Sequence, residues 1–121
     1  MYANRALSRA AGLVAAAVFA VALSIGAAQA ATDFTGTWMT TDTMGHPMQI
    51  DLYANGNARA IRPGERMTGR WASAKRVAVI NWTSGWTTKI VKRGLKFKKL
   101  AYENSEGKGR PVNKALAVKV R

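Results

Sequence analysis

The sequence predicts an all-β domain: a small antiparallel barrel or strongly curled sheet of seven or eight strands, following an N-terminal signal peptide. Three observations predict it. Beyond Phe34, short runs with alternating apolar and polar residues recur about every ten residues, separated by glycine-bearing turns. No stretch in that region keeps a helical period. Val77 to Val91, V-A-V-I-N-W-T-S-G-W-T-T-K-I-V, reads as a hairpin closed by Thr83-Ser84-Gly85, a three-residue loop ending in the glycine that its geometry requires. In that register Trp82 faces Trp86, Ile80 faces Thr88 and Ala78 faces Ile90, so one side carries two indoles and the apolar residues behind them.

Residues 1–30 read as an address. Arg5 and Arg9 precede the apolar run Ala10 to Ala28, and Ala28-Gln29-Ala30 supplies small residues for cleavage, leaving residues 31–121 as a single domain. A periplasmic or secreted location is expected. The chain has no cysteine, so an oxidising compartment is permitted but not exploited.

The first strand, Phe34 to Thr41, places Phe34, Gly36 and Trp38 on one face. Met48, Ile50 and Leu52 then alternate with Gln49, Asp51 and Tyr53, the pattern of a half-buried strand. A two-residue Asn55-Gly56 turn would set Leu52 against Arg59. The three-residue loop Ala54-Asn55-Gly56 instead pairs Leu52 with Ala58 and Asp51 with Arg59, which keeps the faces consistent. Arg62-Pro63-Gly64-Glu65 is a turn into a strand from Met67 to Ser73. That strand carries Gly69-Arg70-Trp71, an echo of Gly36-Thr37-Trp38 in which glycine leaves room for an indole across the sheet.

After the Val77 to Val91 hairpin, Arg93-Gly94 turns the chain into Leu95 to Tyr102. This register sets Ile90 against Phe97 and Lys89 against Lys98, with a bulge at Lys98-Lys99 because Leu100 and Tyr102 continue the apolar face one residue late. Glu103 to Pro111 is an exposed loop. Ala115, Ala117, Val118 and Val120 supply either a closing strand or a frayed tail.

The net charge is +13 at pH 7, and residues 89–121 alone hold eleven basic residues against two acidic ones. A like-charge pair such as Lys89 with Lys98 is unfavourable unless an anion lies over it. Lys89, Lys92, Arg93, Lys96, Lys98 and Lys99 are therefore the candidate anion-binding residues. The export signal argues against an intracellular nucleic-acid partner. It leaves anionic components of a cell envelope: lipopolysaccharide, anionic lipid or acidic polysaccharide.

Of the four tryptophans, Trp82 and Trp86 are the candidate ligand contacts, with Trp86 first because it stands at a hairpin end. One histidine, His46, and no cysteine make a poor metal site, and no serine carries a nucleophile motif, so neither catalysis nor a cofactor is expected. The expected function is non-enzymatic docking of an anionic partner through the cationic hairpin. The alternative is a cup for a small apolar or planar molecule.

Phe34-Thr35-Gly36-Thr37-Trp38 resembles the G-x-W opening strand of lipocalin-like and avidin-like barrels, which implies a calycin-like cup; biotin binding is not implied. Trp82-Thr83-Ser84-Gly85-Trp86, preceded by Gly69-Arg70-Trp71, resembles a group of small exported bacterial β domains with a W-x-x-G-W signature and no assigned activity. That likeness implies a fold and no ligand.

Overall fold

The computed structural model describes residues 32–121; the signal peptide expected over residues 1–30 lies outside them. Eight strands follow one another: β1 (Gly36–Thr41), β2 (Pro47–Leu52), β3 (Asn57–Arg62), β4 (Glu65–Ala74), β5 (Val77–Trp82), β6 (Thr87–Arg93), β7 (Lys96–Tyr102) and β8 (Asn113–Lys119). Each pairs antiparallel with the next, and β8 pairs with β1 to close an up-and-down barrel. The tail is thus a closing strand rather than a frayed end.

Both x-x-Gly loops set the register that their glycines demand. Gly56 and Gly85 have φ of 90° and 94°, and across them Leu52 pairs with Ala58, Asp51 with Arg59, Ile80 with Thr88 and Ala78 with Ile90. On the outer face the Asp51 carboxylate gathers β1, β2 and β3, accepting hydrogen bonds from Arg59 Nη2 at 2.7 Å and Thr37 Oγ1 at 2.8 Å. Burial raises its pKa, but these donors and Gln49 outweigh that and hold the carboxyl below its ordinary value.

The β6–β7 turn differs from the sequence expectation. Arg93 pairs with Lys96 and the loop residues are Gly94-Leu95, with Gly94 at φ 64° in the first central position, where a type II′ turn takes glycine. The whole ladder is displaced by two residues, so Lys89 faces Leu100, Ile90 faces Lys99, Val91 faces Lys98 and Lys92 faces Phe97. A two-residue slip preserves which side each residue faces and changes every partner. The expected Lys89–Lys98 pair therefore does not form. The ladder also runs unbroken from Thr87 to Arg93, with no bulge at Lys98-Lys99, and Lys99 takes the inward position between Phe97 and Ala101.

The interior is filled unequally. At the end where β1 begins, Phe34 stacks on Trp38 at 5.9 Å, Phe97 meets Trp38 edge-on at 4.8 Å, and the Trp38 indole N–H donates to the Phe34 carbonyl. Ile50, Ile80 and Ile90 lie above them, fully buried, with Ala58, Ala60, Ala78 and Ala117 giving the large side chains their space. Two glycines serve different ends. Gly36, at φ 126°, accommodates the backbone of Arg121, whose carbonyl oxygen would overlap an added Cβ. Gly69 pairs with Trp82, and an added Cβ would overlap the Asn81 carbonyl oxygen and lie 3.0 Å from both Trp82 Cα and Cε3.

Gly69→Ala must move strand backbone as well as an indole, so it is expected to destabilise the fold by about 1–3 kcal/mol. A domain of this size loses roughly 4–8 °C in Tm per kcal/mol. Thermal unfolding followed by circular dichroism checks this, and a variant as stable as the parent would contradict the crowding at Gly69.

Candidate functional site

Alternate strands run in opposite directions, so the β1–β2, β3–β4, β5–β6 and β7–β8 connections share one end of the barrel. There the interior opens into a cavity of about 160 Å³, whose lining includes Met48, Met67, Trp82, Trp86, Thr88 and Lys99. Trp82 is 4% exposed and belongs to the core as well as to the cavity wall, its indole N–H donating to Thr88 Oγ1 at 2.9 Å. Trp86, half-buried, stands beside it at the mouth.

One side of the mouth is charged. Arg62 gives hydrogen bonds to Glu65 Oε1 through Nε and Nη2, and its Nη1 donates to Asp42 Oδ2 at 3.3 Å. The Asp42 Oδ1 atom accepts the backbone N–H groups of Met44 and His46 at 2.9 and 2.8 Å, tying the β1–β2 loop to the mouth. Burial raises the Asp42 pKa, but the two N–H groups and the Arg62 guanidinium outweigh it and the net shift is downward.

Below this cluster lies Lys99, 2% exposed. Among the described residues its ammonium makes one hydrogen bond, to Asn113 Oδ1 at 2.5 Å, and no carboxylate stands at ion-pair distance. Burial pushes its pKa down to about 8; Asp42 opposes the shift and Arg62 reinforces it.

The six basic residues named from the sequence do not share a surface. Lys99 is interior. Lys89 is on the outer wall, its ammonium 5.0 Å from the centre of the Tyr102 ring and its stem against Gly107. Lys98 is exposed on the outer wall opposite Val91. Lys92, Arg93 and Lys96 gather at the end opposite the cavity, where the Arg76 carbonyl accepts the Lys92 N–H at 2.8 Å and so brings in the Lys75-Arg76 turn. Among the described residues none of Lys75, Arg76, Lys92, Arg93, Lys96 and Lys98 has a carboxylate partner. Leu95, at the tip between Arg93 and Lys96, is 98% exposed.

Trp82 and Trp86 both face the cavity, whereas Trp38 and Trp71 lie away from it, Trp71 donating to the Tyr53 carbonyl. The imidazole of His46 is 58% exposed, with Nδ1 3.7 Å from Asp42 Oδ2, beyond hydrogen-bond reach. Sequence reasoning missed Asp42, Arg62, Glu65 and Asn113. Arg62 and Glu65 carry a signal, because the tight Pro63-Gly64 turn forces them opposite each other. Nothing in the sequence marks Asn113.

The Lys99 shift has a stability consequence whose sign is fixed. Its folded pKa, about 8, lies below the ordinary 10.5, so between those values the unfolded chain binds more protons and stability rises with pH. Below pH 8 the buried charge costs on the order of 3 kcal/mol. Lys99→Met is therefore expected to raise the denaturation midpoint at pH 7, and the gain should shrink as pH rises from 8 to 10.5. Denaturant titrations of both proteins at pH 7 and pH 10 check this; a destabilised variant would contradict it.

No family model, curated protein or solved structure matches this chain, so no known protein lends its activity to these side chains.

Proposed function

We propose that this is an exported, non-enzymatic protein that docks on an anionic lipid surface through the end of the barrel formed by the β4–β5 and β6–β7 turns. One observation carries the reading: Leu95 projects into solvent from a turn flanked by Arg93 and Lys96, beside Lys75 and Arg76, and none of these four cations has a carboxylate partner among the described residues. Clustered cations are drawn to anionic headgroups, each contributing about 1 kcal/mol near the surface. An apolar side chain at their centre suits a bilayer boundary better than a soluble polysaccharide. The address read from residues 1–30 makes envelope lipid an available partner and intracellular nucleic acid an unavailable one.

A second reading is a calycin-like cup for a small apolar or planar molecule. The cavity behind Trp82 and Trp86 favours it. The two readings use opposite ends of the barrel and are compatible.

Cosedimentation with vesicles tests the docking. The protein should bind phosphatidylglycerol-containing vesicles at low salt, ignore pure phosphatidylcholine, and lose affinity as the Debye length contracts from about 10 Å at 0.1 M salt. Replacing Lys75 and Arg76 by alanine should cost about 2 kcal/mol, some thirtyfold. Leu95→Asp should weaken binding comparably. Equal binding to both vesicle types, or indifference to Leu95→Asp, would sink the lipid reading.

A further inference from the structure

The cavity combines a size, a wall and a charge that together name a ligand class. Its volume, about 160 Å³, is close to that of an engineered 150 Å³ protein cavity that takes benzene, so it holds one ring. The apolar lining includes the indoles of Trp82 and Trp86 and the thioethers of Met48 and Met67, surfaces that favour a flat, polarisable partner. The charge comes from Lys99. A protonated lysine offers three N–H donors, and here one is taken by Asn113. The other cation in the wall, Arg62, is already held by Glu65 and Asp42.

An almost fully buried ammonium with one neutral acceptor lacks the counter-charge that such burial calls for. A carboxylate entering from the mouth would supply it. A doubly charged phosphate would meet the carboxylates of Asp42 and Glu65 at the wall and is disfavoured there.

We propose that the cavity binds a single-ring aromatic monocarboxylate, its carboxylate paired with Lys99 Nζ and its ring against Trp82 and Trp86. This rests on the cup reading above and is independent of lipid docking. The groups at the mouth that share the field of Lys99 are Asp42 and His46 from the β1–β2 loop and Arg62 and Glu65 from the β3–β4 hairpin. Burial has already lowered the Lys99 pKa to about 8, so carboxylate binding should decline as pH rises past that value.

The test is titration with sodium benzoate at pH 7, read by calorimetry and tryptophan fluorescence, beside benzyl alcohol as the uncharged ring of similar size. Benzoate should bind one-to-one and about tenfold or more tighter than benzyl alcohol. Lys99→Met should remove that preference while still binding benzyl alcohol, and Trp86→Ala should weaken both. Lys114→Ala, an exposed lysine on β8, should change neither. Benzyl alcohol binding as tightly as benzoate, or an undiminished benzoate preference in Lys99→Met, would overturn the acid specificity and leave the cup standing. Binding of neither ligand would overturn the cup as well.

Discussion

The Trp82 indole lies against Gly69 on one strand and donates its N–H to Thr88 on another. It is at once the top of the core and part of the cavity wall. An eight-stranded barrel encloses little more space than its inward side chains fill. Here the bulk is concentrated at one end in Phe34, Trp38, Phe97 and Trp71, and alanines on β3, β5 and β8 leave room for it. Above Trp82 the inward positions pass to Met48, Met67, Arg62, Lys99 and Trp86, which leave a cavity. Gly69 is thus a structural requirement with a functional consequence, because displacing the indole would disturb core and cavity together.

Legibility of the fold depended on where each glycine sits in its turn. In Ala54-Asn55-Gly56 and Thr83-Ser84-Gly85 the glycine ends a three-residue loop, and one reading keeps apolar residues facing apolar residues, so register and core follow. Gly94 is different, since a two-residue turn takes glycine at either central position according to turn type, and the two placements differ by two residues in register. Period-2 alternation cannot separate them, because both put the same residues inside. The error that mattered for function lay elsewhere. The bulge at Lys98-Lys99 is expected because Leu100 and Tyr102 extend the apolar run, but the ladder keeps its alternation: Phe97, Lys99 and Ala101 face inward, and Leu100 and Tyr102 are buried on the outer side. Apolar residues buried on the outer side thus imitate a shifted inner face, and they hide the inward lysine on which the proposed cavity chemistry turns.

Two positions hold residues that the fold alone would not choose. Lys75 has φ of 56° in the β4–β5 turn, where glycine would be unstrained. Lys99 holds a charge in the interior where methionine would fit without desolvation cost. One lies at the basic end and the other beneath the mouth. Residues retained against local stability cluster where a function needs them, and these two fall on the two ends for which functions are proposed.

The topology then decides how those functions relate. Because every connection joins adjacent strands, the turns alternate strictly between the ends, and the two ends differ in charge. Asp42, Glu65, Glu103 and Glu106 stand at the mouth beside Arg62, Lys108 and Arg110, so that end is of mixed charge, whereas Asp33 and Asp51 are held by Lys119 and Arg59. Among the described residues, the cations around Leu95 at the opposite end have no carboxylate partner. An anionic surface would therefore attract the basic end more strongly than the mixed-charge mouth, orienting the barrel with its cavity toward solvent. In that orientation a small acid can enter or leave without crossing the docked interface. At the rim Asp42 and Glu65 are both engaged by Arg62, so Lys99, sheltered beneath them, is the cation left to meet the proposed acid. In the proposed binding mode, selectivity for a singly charged, flat ligand over polyanions would come from the Asp42 and Glu65 carboxylates in the cavity wall together with the indoles of Trp82 and Trp86.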